Sequence, residues 1–322
     1  MSKTSTPLAT PASPFALDAA VKGLRAARSR WRAAQGRPQE AGGRELPSRE
    51  AVRSALARLR GALFPLRLGP TDLRQDNEDY YVAHTLDDVL HSLADQARLE
   101  LAHAARLRGD PQEMAVLQKQ AVERIQAFAE ALPDIRDALD ADVLAAYDGD
   151  PAARSVDEVL LCYPGVDAII HHRLAHRLHE LDLPLLARMF NALALTRTGI
   201  DIHPGAQIGK RFFIDHGSGV VSGETAVIGD RVRLYQAVTL GARSFPADGT
   251  GRLQKGLPRH PIVEDDVVIY AGATILGRIT IGRGSVLGGN VWVTQNVPPG
   301  SLVTLSSMRQ EAAQGTGAGV RS

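Results

Sequence analysis

The sequence predicts an α+β protein, with an N-terminal α-helical domain followed by a parallel β-helix of hexapeptide repeats that extrudes one long loop. Three observations predict it. Apolar residues fall at helical spacing before residue 199, aliphatic residues recur every six positions after it, and one polar stretch breaks that period. The expected boundaries are a basic, mostly disordered arm at 1–45, a helical domain at 46–198, a β-helix at 199–305 with its loop at 241–262, and a flexible tail at 306–322.

The arm comes first. Residues 1–60 hold twelve Lys/Arg against four Asp/Glu, and 21–34 has the pattern of a basic amphipathic helix. Asp18 interrupts what could pass for a mitochondrial presequence, and nothing resembles a cleavage signal. Thr85-Leu86-Asp87-Asp88 reads as a capping-box start, with Leu90, Leu93, Ala97 and Leu101 behind it. Met114, Leu117, Ala121, Ile125 and Phe128 form a second stripe that Pro133 should halt. Ile135, Leu139, Val143 and Tyr147 form a third, ending at Gly149. Shorter helices are expected over 166–180 and 185–198.

From residue 200 the period is six: Ile202, Ile208, Ile214, Val220, then Ile228, Leu234, Leu240, and later Val263, Ile269, Ile275, Ile281, Leu287, Val293. Neither a helix nor a simple strand repeats in sixes. A triangular solenoid does, because each hexapeptide supplies one short strand and one corner, so that three make a coil of about eighteen residues. The phase slips by two residues between Val220 and Ile228. It breaks again between Leu240 and Val263, where a Gly-, Pro-, Arg- and Lys-rich stretch must leave the coil as a loop.

Composition narrows the function. A hydrophobic content of 44% and a formal net charge of +1 describe a globular chain with little excess charge for nucleic acid. No run of about 18 apolar residues offers a membrane span. Cys162 is the one cysteine, so there is no disulfide framework. The reading is cytoplasmic, with neither nucleic acid nor membrane as partner.

Transfer of an acyl group to an alcohol needs a base, and the base needs a partner to fix its tautomer. Asp201 and His216, fifteen positions apart, should fall on adjacent levels of the solenoid and close in space. His171, His172, His176 and His179 share one helix. His172 and His176 have metal-like spacing, but no Glu follows as in a zincin, so no metal is expected. His203 reads as structural, and Glu224 equally as a corner carboxylate or an acceptor contact.

Several segments together carry a family resemblance. They are Asp201-Ile202-His203-Pro204, Asp215-His216-Gly217-Ser218-Gly219, Gly223-Glu224-Thr225-Ala226, Gln236-Ala237-Val238-Thr239-Leu240-Gly241 and Arg259-His260-Pro261. In this order, over roughly 150–300, they resemble serine acetyltransferases. The resemblance implies a left-handed coil, acetyl-CoA as co-substrate and L-serine as acceptor, in the first step of cysteine biosynthesis. It implies His216 as general base with Asp201 as partner, attack without an acyl-enzyme, Asp150 and Asp215 receiving the substrate ammonium, and Arg259 and His260 meeting its carboxylate. It implies a trimer or a pair of trimers, and L-cysteine as feedback inhibitor.

Two departures matter. Relatives carry a short Gly-Gly-x-Gly-Lys after Thr-Leu-Gly, where this chain has the longer Ala242–Leu257. Gly241, Ala242, Lys255 and Ala271 are therefore the candidate CoA contacts. The chain also ends Val-Arg-Ser where many relatives have the isoleucine that enters cysteine synthase, so that complex is not expected by the usual route. Rival readings are another hexapeptide acyltransferase, a γ-type carbonic anhydrase with three zinc histidines, and a non-catalytic scaffold.

Overall fold

The computed structural model describes residues 15–36, 45–249 and 251–305. Residues 1–14 and 37–44 of the expected arm and all of the tail beyond 305 lie outside the described residues. The chain divides into two compact units, Met1–Glu45 and Leu46–Ser322. In the first, α1 (Leu17–Ala34) begins four residues earlier than the helix expected at 21–34. It has no buried residue. Leu17, Val21, Leu24 and Trp31 are exposed alongside Lys22, Arg25, Arg28 and Arg30.

In the second unit, α2 (Arg49–Leu63) starts where the Ser48 side chain accepts the Ala51 N–H. It buries Val52, Leu56, Leu59 and Leu63, a stripe absent from the helices expected above. A short α3 (Pro65–Leu68) follows. Then come α4 (Glu78–Arg108), α5 (Met114–Glu130), α6 (Leu132–Gly149), α7 (Val156–Cys162), α8 (Pro164–Glu180) and α9 (Pro184–Thr198).

Three helix expectations need correction. Helix α4 does not start at Thr85, which is buried inside it. Its first turn carries Glu78 and Asp79, whose charges suit the positive end of the helix dipole. Pro133 does not simply halt a helix: it sits in the first turn of α6, where its missing N–H costs nothing. In α6 the buried stripe closes on Ala146, while Tyr147 is exposed.

Fourteen strands of two or three residues follow among the described residues. In chain order they are β1 (Asp201–Ile202), β2 (Gln207–Ile208), β3 (Phe213–Ile214), β4 (Val221–Ser222), β5 (Val227–Ile228), β6 (Arg233–Leu234) and β7 (Thr239–Gly241). After the loop come β8 (Ile262–Val263), β9 (Val268–Ile269), β10 (Thr274–Leu276), β11 (Thr280–Ile281), β12 (Val286–Leu287), β13 (Trp292–Val293) and β14 (Leu302–Val303). They form three parallel sheets, ordered β1-β4-β7-β10-β13, β11-β8-β5-β2 and β14-β12-β9-β6-β3. Below, these are the first, second and third faces of the prism. The fold is a left-handed parallel β-helix with a helical region before it.

The register shows where the coil is irregular. Asp201 pairs with Val221, twenty residues on, and Val221 with Thr239, eighteen on. The two extra residues therefore lie before β4, at the corner from the third face to the first, and not after Val220 as expected. Ser222 takes the inward position of β4, in line with Ile202 and Leu240. The long break also has its place. Thr239 pairs with Thr274 and Val227 with Ile262, each thirty-five residues on, so the chain leaves at the corner between the first and second faces and resumes the same coil at β8. The loop has its own antiparallel bridge, Ala247 to Leu253.

A buried ion pair joins the helices to the first coil. Arg173 on α8 meets both oxygens of Asp142 on α6 at 2.6 and 2.9 Å, and donates to the Gly209 carbonyl at 2.7 Å. Asp142 also accepts the Phe212 N–H at 2.9 Å. With Asp142 only 1% exposed, this arrangement fixes where the end of α6 stands against β3.

Candidate active site

The two-residue insertion shapes the first cluster. Regular coils place one left-handed residue at this corner: Ala237, Gly272 and Asn290 continue the column begun by Gly219. The first coil adds His216 (φ 59°) and Gly217 (φ 86°) before Gly219. A left-handed conformation is strained for histidine, and the bulge holds its imidazole largely exposed. Position 217 suits glycine, since its φ of 86° strains any other residue and a Cβ would press on Ile200 Cδ1 at 2.5 Å.

Around His216 stand two carboxylates. Asp215 Oδ1 lies 3.8 Å from His216 Nδ1, and Asp215 Oδ2 accepts from Arg233 Nη2 at 3.2 Å. Asp150, just past the end of α6, accepts the Tyr163 hydroxyl at 2.5 Å and the Ala152 N–H at 2.8 Å. The Tyr163 hydrogen bond is the main cause that holds the Asp150 carboxyl below the ordinary range; Arg233 and His216 add to it. The same bond pushes the Tyr163 hydroxyl up to about 12, so it remains a donor. The corner therefore collects negative charge beside an accessible imidazole, which suits a substrate ammonium.

Asp201 stands on β1, half-buried. Its Oδ1 accepts from Asn191 Nδ2 at 3.1 Å. No hydrogen bond or ion pair joins Asp201 to His216 among the described residues. The side-chain partner of Asp201 among the described residues is Asn191.

The second cluster occupies the next corner, between the first and second faces. Arg259 Nη2 pairs with Glu224 Oε2 at 2.7 Å, and this bond is the main cause that lowers the Glu224 carboxyl. Thr225 is the hub. Its N–H donates to His260 Nδ1 at 3.0 Å, and its Oγ1 accepts the backbone N–H groups of Arg259 at 2.9 Å and His260 at 3.2 Å. Burial lowers the His260 pKa, favouring the neutral ring. With Nδ1 accepting, the ring proton sits on Nε2. That ring lies on Gly223, where a Cβ would come within 2.0 Å of Nε2.

The candidate CoA contacts divide between these corners. Gly241 ends β7 and Ala242 opens the loop, with an exposed Lys255 further along it. Ala271 stacks under Gln236 and Ser218 in the His216 column. Asp150, Asp215 and His216 thus come together, Arg259 and His260 come together, and the two groups occupy different vertices of one chain. Sequence reasoning missed Tyr163, Asn191, Thr225 and Arg233. Of these, Arg233 was within reach, since it falls one coil after Phe213, two residues before Asp215.

Comparison with known proteins decides the family. Residues 77–171 match the serine acetyltransferase N-terminal family, and 260–295 match the bacterial transferase hexapeptide (six repeats) family. A plasmid serine acetyltransferase of Synechococcus elongatus is 58% identical over 267 residues, covering 83% of this chain and 84% of that protein. The chain belongs to the serine acetyltransferase family. It is an acyltransferase of the hexapeptide-repeat class. Among solved structures it is similar to serine acetyltransferase 1 of Entamoeba histolytica in complex with L-cysteine, at 36% identity and a TM-score of 0.67, covering 80% of this chain and 87% of that one. Isoform 3 of the same organism, in complex with cysteine, gives 34% and 0.64, covering 83% and 84%.

Proposed function

We propose that this serine acetyltransferase forms O-acetyl-L-serine from acetyl-CoA and L-serine with His216 as general base. The observation that carries the reading is the exposed His216 imidazole on a strained bulge beside two carboxylates. In the proposed reaction His216 takes the hydroxyl proton as the serine oxygen attacks the thioester carbon. The tetrahedral intermediate collapses with loss of the C–S bond, and the proton passes from His216 to the leaving thiolate. A C–O and an S–H bond thus replace the C–S and O–H bonds, and no acyl-enzyme forms.

Asp215 and Asp150 receive the ammonium, while Arg259 and the Nε2–H of His260 meet the carboxylate. This is an acid pair at one end of a zwitterion and a guanidinium at the other. Asp201 is the partner of His216. Catalytic hydrogen bonds are often long before substrates bind, and in this reading Asp201 turns from Asn191 to the imidazole on binding. Since the two clusters occupy different corners, the complete site forms between chains, in a trimer or a pair of trimers. The pantetheine of CoA then runs between Ala271 of one chain and Gly241, Ala242 and Lys255 of the next. L-cysteine, which replaces the serine hydroxyl by a thiol, occupies the same amino-acid pocket as an inhibitor. The location is cytoplasmic; no helix among the described residues is long and apolar enough to cross a membrane.

The test is thiol release from acetyl-CoA with L-serine, homoserine, glucosamine or no acceptor, for the wild type and His216→Ala. Serine-dependent release that the variant lacks supports the reading. Release with the sugar alone, or equal release by the variant, refutes it.

A further inference from the structure

Arg233 lies on the outward side of β6, one coil below Phe213, with which it is in parallel register. Parallel stacking puts such side chains in a ladder, and the guanidinium lies 4.9 Å from the centre of the Phe213 ring and 5.0 Å from that of Tyr235. Tyr235 in turn stacks on Tyr270, with centroids 4.9 Å apart and planes 15° from parallel. A guanidinium held between two rings has little freedom left. Its Nη2 donates in two directions, to Asp215 Oδ2 at 3.2 Å and to the carbonyl of Gly149, the residue before Asp150. Gly149 is pressed onto the same group: a Cβ there would lie 3.0 Å from Phe213 and 3.6 Å from the guanidinium carbon.

Two carboxylates that stand on different parts of the fold are thus tied to one cation. Asp150 belongs to the helical region and Asp215 to the β-helix, and Arg233 bonds to the backbone of one segment and the side chain of the other. It also changes the charge. Two acids around one ammonium leave a surplus negative charge; with Arg233 the cluster carries one negative charge for one substrate cation. Because Arg233 takes Oδ2 of Asp215, the other oxygen is left facing His216, at 3.8 Å from Nδ1.

We propose that Arg233 is a positioning residue for the amino-acid substrate, fixing the spacing of Asp150 and Asp215 and the rotamer of Asp215 beside the base. The proposal rests on the reading of these two acids as the ammonium site. Without Arg233, Asp215 is free to swing onto His216, and the groups left around the base are Asp215, Asp150, the Tyr163 hydroxyl and, once substrate binds, its partner Asp201, with no cation among them. Negative potential at the base then grows, and the acid limb of the pH–rate profile moves to higher pH.

The experiment compares wild type, Arg233→Met and Arg233→Lys, full length, by thiol release at varied L-serine, varied acetyl-CoA and varied pH, with melting temperatures measured alongside. Arg233→Met should raise the KM for serine about tenfold, the loss of one charge-assisted hydrogen bond. It should leave the KM for acetyl-CoA within about twofold and shift the acid limb upward. Arg233→Lys keeps the charge and should recover the position of that limb while recovering only part of the KM, because an ammonium cannot reach both acceptors as the planar fork does. An unchanged serine KM and pH profile in Arg233→Met overturns the proposal. So does an equal rise in both KM values that simply follows a lowered melting temperature in both variants. If the wild type itself shows no serine-dependent release, the reading of the site has failed, which is a separate outcome.

Discussion

Thr225 gives its backbone N–H to Nδ1 of His260 at 3.0 Å, and this contact decides which nitrogen of His260 can donate. The same threonine's hydroxyl accepts the Arg259 and His260 N–H groups, so one small residue orients both groups proposed to hold the substrate carboxylate. Thr225→Val keeps the shape and removes the acceptor. It should lower kcat/KM for serine by about tenfold, since two backbone donors lose their partner, while Thr225→Ser should restore most of the activity. Gly223→Ala, which forces a methyl against the His260 ring, should lose more than Thr225→Val. Steady-state kinetics on the three variants checks this order.

Tyr163 orients the Asp150 carboxylate and lowers its pKa. Removing the hydroxyl in Tyr163→Phe takes away the main cause of its lowered pKa, so the carboxyl should titrate closer to the ordinary value of about 3.9. At pH 7 it stays charged but loses a fixed orientation. The expected result is a several-fold rise in the KM for serine with little change in kcat. A fall in kcat at unchanged KM would contradict an ammonium-binding role.

Ser222 occupies an inward position of the β-helix between Ile202 and Leu240. Its hydroxyl is buried and, among the described residues, has no hydrogen-bond partner. An unpaired buried hydroxyl costs roughly 1–3 kcal/mol. Ser222→Val should therefore raise the melting temperature, and Ser222→Ala should do so less, because it leaves unfilled space. Thermal denaturation followed by circular dichroism measures both.

Acid should destabilise the fold. Burial lowers the pKa of His171, His172, His203 and His260, taking His203 to about 4. Each therefore binds a proton more readily in the unfolded chain. Their contribution is whole above the unfolded value of about 6.5 and is lost as pH falls toward the folded values. Asp142 and Glu100, raised by burial, act in the opposite sense at lower pH. The melting temperature should drop between pH 7 and pH 5, and His203→Asn should remove part of that drop. A flat profile in this range would contradict the account.

Much of this was legible in the sequence because a solenoid repeats. A six-residue aliphatic period dictates three faces, and the inward line of Ile228, Leu234 and Leu240 reads directly from it. The corner insertion was harder to place. Val220 is aliphatic and buried, so it keeps the six-residue beat even though the inward strand position belongs to Ser222. Tyr163 and Asn191 were not legible because they reach their acids across helix packing, which no local pattern encodes. The split of the site between two vertices was implicit in the repeat arithmetic, since Asp215 closes a third-face strand and Arg259 precedes a second-face one.

The most direct test of the central claim is to mix chains that each lack one half of the proposed site. His216→Ala and Arg259→Ala should each be nearly inactive alone. Co-refolded or co-expressed in equal amounts, they should recover about a quarter of the wild-type serine-dependent thiol release, because random assembly of a cyclic trimer joins an intact His216 corner to an intact Arg259 corner at one interface in four. No recovery from well-mixed trimers would mean that each chain carries its own complete site, and the account of two corners meeting between chains would be wrong.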